Sequence, residues 1–253
     1  MAIEVPQSFV TYSASEQAAW QNGFRKKLGQ EDGWAAFGST TAKGTIFLAS
    51  DSDNGSWYVA IDHPGVIAEL PFPKAYVTHP GIAAYSAAQM SELYPVLTRI
   101  YELSVSLPDG PLEEFQAATD GLPGKTEAER LVKQRIGQDI FRSRLITYWQ
   151  GRCPMTDISD TDLLRASHIK PWKDCVTDAE RLDVHNGILL SALWDAAFDK
   201  GLVTFKDDGT PRFSSKLSAP AMSSLSGHSK RISGLTAGHK ENLIWHRDQV
   251  FNP

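Results

Sequence analysis

Apolar and polar positions change rhythm several times along this chain. The runs TIFLAS (45–50) and WYVAID (57–62) are β-prone and flank DSDNG, a good turn sequence, so they predict a hairpin. SAAQMSELYPVLTRIYELSVSL (86–107) has helical spacing, with Pro95 marking a break or kink. PDGPLEEFQAATDGLPG (108–124) is rich in proline, glycine and acids and reads as the domain boundary. Beyond it, Thr126 and Glu129 form a capping-box pattern. Leu131, Val132, Ile136, Ile140, Phe141, Leu145 and Trp149 then recur at helical intervals.

After Gly151 the pattern shortens. LLRASHI (163–169) reads as a strand, residues 171–183 as a polar loop, and GILLS (187–191) as a second strand. ALWDAAFDK (192–200) reads as a helix that stops at Gly201. LVTFKDDGTPRFS predicts a hairpin around Asp208-Gly209, and HKENLIWHRDQVF (239–251) a closing helix. The expected fold class is α+β: a mixed α/β domain over residues 1–120, then a second domain over 121–253.

Charge changes this picture in one respect. The formal net charge is −5, but residues 1–120 hold 6 Lys+Arg against 14 Asp+Glu, whereas residues 121–253 hold 19 against 16. Direct duplex binding by the acidic first part is disfavoured, while a local basic stripe in the second can still hold phosphate. Arg142, Arg144 and Arg152 are candidates for that contact, with Lys170 and His185 nearer the polar loop. No run of eighteen apolar residues exists, and the N-terminus has no basic and apolar leader pattern, so a cytoplasmic protein is expected. Cys153 and Cys175 form no CxxC pair and are expected as buried thiols.

The chemistry concentrates in the strand–loop–strand–helix segment. His168 ends the first strand, Asn186 precedes the second, and Asp195 and Asp199 stand four apart on one helix face. Two carboxylates are hard oxygen ligands suited to Mg²⁺ or Mn²⁺. An imidazole beside such a metal suits hydrolysis of a phosphodiester, with His168 taking a proton from water within the usual imidazole range near pH 7. Asn186 is expected to brace the loop and hold the imidazole. A Ser-His hydrolase is disfavoured, because Ser167 and His168 are strand neighbours that point apart and no G-x-S-x-G elbow exists. His228, His239 and His246 show no ligand spacing.

Residues 152–205, with their AHI-x-PW-like strand end (here SHIKPW), NGILL strand and FDKG helix end, resemble the HNH endonuclease family. The preceding helix is similar to the one that leads into this domain in bacterial restriction-type nucleases. The resemblance implies a ββα-metal fold with flanking helices and one divalent metal ion. His168 matches the general base and Asn186 the middle asparagine, while Asp195 and Asp199 match helix metal ligands. It further implies metal-dependent cleavage of DNA, double-stranded in the first instance, in restriction or phage defence, with a homodimer for double-strand cutting. Two positions depart from the pattern. Asp195 stands where the family name has its last histidine, and Ser167 occupies a ligand position before the base that often carries Asp or His. The alternative expectation is an HNH-fold nucleic-acid-binding or interaction module that has lost the metal. Residues 1–120 are then a recognition, regulatory or dimerisation domain.

Overall fold

The structure, a computed structural model, describes residues 3–53, 55–122, 124–227 and 230–253. Asn54 of the first predicted turn, Pro123 of the predicted boundary and His228 lie outside the described residues. The chain forms two compact units, Met1–Gly110 and Pro111–Pro253.

The first unit opens with helix α1 (Phe9–Gln21), whose N-cap Ser8 hydroxyl accepts from the Thr11 amide. Strands β1 (Lys26–Glu31), β2 (Trp34–Gly38), β3 (Ile46–Ser50) and β4 (Trp57–Ile61) follow. Helix α2 (Pro64–Glu69) leads to β5 (Ala83–Ala87), and α3 (Met90–Ser106) closes the unit. All five strands form one antiparallel sheet in sequence order. The predicted 45–62 hairpin is β3–β4, in register from Ile46↔Ile61 to Ser50↔Trp57. The β1–β2 hairpin turns on Asp32-Gly33, both at positive φ (48° and 83°), as a two-residue primed turn requires. Trp34, Ala49, Tyr58, Ala60 and Ala84 form a buried cluster on one face, and α1 and α3 pack on the sheet. Helix α3 runs through Pro95 without the expected break. Ser91 and Pro95 are both exposed, so the carbonyl that loses its amide partner faces water.

The predicted boundary is largely helical: α4 spans Asp109–Ala118, with Asp109 and Pro111 in its first turn and Phe115 buried. Proline at a helix start forfeits no hydrogen bond, and an acid there favours the helix dipole. The composition that reads as a boundary is thus also that of a helix N-terminus.

In the second unit α5 (Glu127–Tyr148) begins at the expected Thr126–Glu129 capping box. Ile140, Phe141 and Leu145 are buried, whereas Leu131 and Val132 are exposed, so only the later half of the helix presents its apolar face to the core. Strand β6 (Leu164–His168), helix α6 (Asp178–Leu182), strand β7 (Gly187–Ser191) and helix α7 (Ala192–Asp199) follow. Strands β8 (Val203–Phe205) and β9 (Pro211–Phe213) form the second predicted hairpin. Helices α8 (Ala219–Ser226) and α9 (Ala237–Gln249) end the unit. Strands β6 and β7 pair antiparallel from Leu164↔Ser191 to His168↔Gly187, and α5 and α7 pack on both. Trp194, Phe198 and Phe205 are the buried anchors of α7 and β8, each contributing about 1.5–3 kcal/mol by leaving water. Gly201 ends α7 at φ 65°, and a Cβ there would come within 2.0 Å of the Val250 carbonyl oxygen. Glycine thus lets the chain end close over α7.

Candidate functional site

Strand β6 delivers His168 to the mouth of a cleft of about 370 Å³. Ser167, Trp172, Lys173, Asp195, Asp199 and His246 are among its lining residues. The pleat sends Ser167 inward, where it is 2% exposed, and its hydroxyl donates a short hydrogen bond to Asp195 Oδ1. The hydroxyl expected as a metal ligand is thus engaged with the carboxylate of Asp195, another expected ligand.

The His168 imidazole is fixed on two sides. Its Nε2 lies 2.9 Å from the Arg181 carbonyl oxygen, which can only accept, so Nε2 carries the proton and Nδ1 holds the lone pair. Phe141 stacks on the ring at 3.8 Å between centroids, and Trp172 meets it edge-on at 5.7 Å. Among the described residues Nδ1 has no hydrogen-bond partner. Burial drives the His168 pKa down to about 4, against the partial opposition of the Arg181 hydrogen bond. The expectation of an ordinary imidazole range near pH 7 is therefore corrected: this ring is neutral at pH 7 by a wide margin.

Asn186 does not touch the imidazole. Its Oδ1 accepts from the Lys170 amide at 2.8 Å, and its Nδ2 donates to the carbonyls of Lys170 (3.1 Å) and Glu180 (3.2 Å). It ties both ends of the polar loop together, and the loop in turn presents the Arg181 carbonyl to His168. Arg181, which sequence reasoning missed, laces the same loop: its guanidinium donates to the Cys175 and Trp172 carbonyls and to Asp178. Nothing in the residue pattern marks a loop arginine whose carbonyl does the work.

Asp195 and Asp199, one turn apart on α7, both line the cleft. Burial, and then repulsion from the Asp195 carboxylate, raise the Asp199 pKa. A carboxylate whose ionisation is disfavoured by its neighbour fits a divalent cation, which would relieve that repulsion. Ser167 engages one oxygen of Asp195, and both aspartates line the cleft, where water can complete a hard cation's shell. Among the described residues no group of three or more His, Cys, Asp or Glu side chains converges.

The predicted cationic contacts have partners of their own. Arg142 donates to the Thr161 and Leu164 carbonyls at 3.0 Å each, pinning the start of β6 to α5. Arg144 pairs with Glu114 at 2.6 Å, Arg152 donates to the Asp157 carbonyl, and Lys170 pairs with Glu180 at 3.1 Å. His185 Nδ1 lies 2.9 Å from Asp183. By contrast, Lys173 and Lys200 line the cleft, exposed, with no ion pair or hydrogen bond through their ammonium groups among the described residues. Sequence reasoning passed over both, and FDKG and PWK offered the signal: each lysine directly follows a cleft residue. The two cysteines are buried free thiols, as expected.

His246 also reaches the cleft lining, but both its nitrogens are engaged, Nδ1 by the Thr204 hydroxyl at 3.0 Å and Nε2 by the Phe198 carbonyl at 3.2 Å. No described helix is long and apolar enough to cross a membrane.

Comparison with known proteins bears on this geometry. No curated protein matches the chain. The family model described as HNH endonuclease matches residues 153–206, from Cys153 through α7 and β8 to Lys206. Nucleases of this family act on nucleic acid and typically bind one divalent metal ion. The hairpin that carries His168, the loop braced by Asn186 and the helix that carries the two carboxylates all fall inside the matched stretch, and this chain therefore carries an HNH endonuclease domain at residues 153–206.

Proposed function

We propose that this protein is a metal-dependent DNA endonuclease that hydrolyses phosphodiester bonds with His168 as general base. The observation that carries the reading is the one free nitrogen of His168, Nδ1, at a cleft shared with two adjacent carboxylates. Nδ1 accepts a proton from the attacking water. The Arg181 carbonyl keeps Nε2 protonated throughout, so the ring presents its lone pair in a single tautomer. A buried, neutral imidazole needs no prior deprotonation at pH 7.

Asp195 and Asp199 would hold one Mg²⁺ or Mn²⁺, with water completing the shell. Such an ion would supply Lewis-acid stabilisation of charge on the phosphate and the leaving oxygen. Ser167 orients Asp195, and Asn186 holds the loop that holds His168. Lys173 and Lys200 are the phosphate contacts at the cleft, in place of the cations that are paired within the fold. The products carry a 3′-hydroxyl and a 5′-phosphate.

The reading extends to double-stranded DNA as substrate, a homodimer for double-strand cutting, and a role in restriction or phage defence. Helix α5, similar to the lead-in helix of restriction-type nucleases, supports that extension. The acidic first unit then serves recognition, regulation or dimerisation.

The test is cleavage of supercoiled plasmid with Mg²⁺ or Mn²⁺, wild type beside His168→Ala and Asp195→Ala, with a chelator control. Nicking or linearisation lost in both variants and with chelator is the expected result. Wild type that binds DNA but leaves both plain and modified DNA uncut would instead make the domain a binding module.

A further inference from the structure

The matched stretch begins at Cys153, yet one face of the His168 ring is closed by a residue that precedes it. Phe141, 1% exposed on α5, lies over the imidazole at 3.8 Å with an angle of only 19° between the planes. The fit depends on glycine. Gly187 pairs with His168 across the hairpin, and a Cβ there would come within 2.6 Å of Phe141 Cζ and 2.8 Å of Leu145 Cδ1. One helix turn earlier, a Cβ on Gly137 would come within 2.4 Å of the Trp172 ring, which meets His168 from another side. Gly137, Phe141 and Leu145 recur at intervals of four, so one stripe of α5 receives both Trp172 and the hairpin. Arg142, the next residue, clamps the start of β6 to the same helix.

Two constraints therefore act on the imidazole. The Arg181 carbonyl sets its tautomer but leaves rotation about the hydrogen bond open. A flat apolar surface against one face removes that freedom, since terminal ring torsions are otherwise broad. Leucine of similar bulk would fill the space without defining a plane.

We propose that Phe141 is the positioning residue of the base: its stacked ring fixes the plane of the His168 imidazole, so that Nδ1 is aimed into the cleft before substrate arrives. The claim rests on reading His168 as the general base. Misplacement of a reacting group by about 1 Å can cost on the order of 100-fold in rate, so looser aim shows in the chemical step more than in binding.

The experiment compares wild type with Phe141→Leu and Leu145→Ala, using single-turnover cleavage of a DNA duplex, DNA affinity without cleavage, thermal stability, and the ¹H–¹³C signals of the His168 ring. Leu145→Ala is the control, because it removes buried volume on the same helix face and leaves the Phe141 ring in place. Phe141→Leu is expected to slow the cleavage step roughly 10-fold or more, with affinity within about twofold. The His168 ring protons, shifted upfield by the stacked phenyl ring, move downfield in Phe141→Leu and stay in place in Leu145→Ala. A cleavage loss no greater than that of Leu145→Ala would overturn the proposal, whatever the ring signals do. If wild type itself leaves DNA uncut, the base reading falls and the proposal falls with it, whereas cleavage by wild type that Phe141→Leu leaves untouched overturns the positioning claim alone.

Discussion

His168 at the end of β6 and His246 within α9 are built from the same parts. Each is stacked on a phenylalanine, His168 on Phe141 at 3.8 Å and His246 on Phe198 at 3.9 Å. Each donates Nε2–H to a backbone carbonyl, and each is driven by burial to a pKa of about 4. The difference is the other nitrogen. His246 Nδ1 is taken by the Thr204 hydroxyl, whereas His168 Nδ1 has no partner among the described residues and lies at the cleft. Burial and a shifted pKa therefore do not distinguish a base from a strut. The proposed function turns instead on an unspent lone pair at a cleft that carboxylates also line.

The sharpest way to break this comparison is to remove each ring. His168→Ala is expected to lower single-turnover cleavage by about 10²–10⁴-fold, with a small change in thermal stability. His246→Ala, which empties a fully buried site and strands the Thr204 hydroxyl, is expected to cost about 2–3 kcal/mol of folding stability in urea titrations. If the two substitutions gave the same phenotype, the distinction between the nitrogens would be worthless.

Acidification tests what the two share. Both imidazoles are neutral in the fold and regain a pKa near 6.5 when unfolded, as does His239, which burial lowers to about 3. The unfolded chain then binds more protons below pH 6.5, so stability is full above that value and falls as pH drops towards 4. The expected loss is about 2 kcal/mol by pH 5 for the fully buried His246. Urea midpoints measured from pH 7.5 to 5 would refute this if they stayed flat.

Thr204→Val touches only the difference between them. It frees His246 Nδ1 inside the core and should cost about 1 kcal/mol while leaving cleavage unchanged. The smallest effect concerns the cleft rim. Lys173→Ala and Lys200→Ala are each expected to weaken DNA binding a few-fold and to reduce the salt dependence of affinity by roughly one unit of slope. Arg144→Ala, whose guanidinium is held by Glu114, should leave the slope alone.

Much of the hairpin and helix of the HNH domain was legible in the chain. LLRASHI, GILLS and ALWDAAFDK have the periods of two strands and a helix, and they form β6, β7 and α7 because each pattern is local. The Thr126–Glu129 capping box was legible for the same reason. Other signals were passed over although present. Asp32-Gly33 is a primed-turn sequence that announces the β1–β2 hairpin, and the Pro111 region, read as a boundary, also has the composition of a helix start. The five cations singled out from charge all have partners inside the fold, because a count of charges carries no information about which acid or carbonyl each one meets.

By itself the sequence determined the order of elements in the HNH segment, the pairing of two carboxylates one helix turn apart, and the placing of a histidine at a strand end. These follow from periods of two and 3.6 residues, which are properties of neighbouring positions. Only the tertiary structure decided that Ser167 bonds to Asp195, that Asn186 braces the loop, that Phe141 lies on His168, and that one histidine keeps a nitrogen free where another does not. Each of those outcomes depends on which groups from distant parts of the chain arrive within hydrogen-bonding or stacking distance, and that is set by packing.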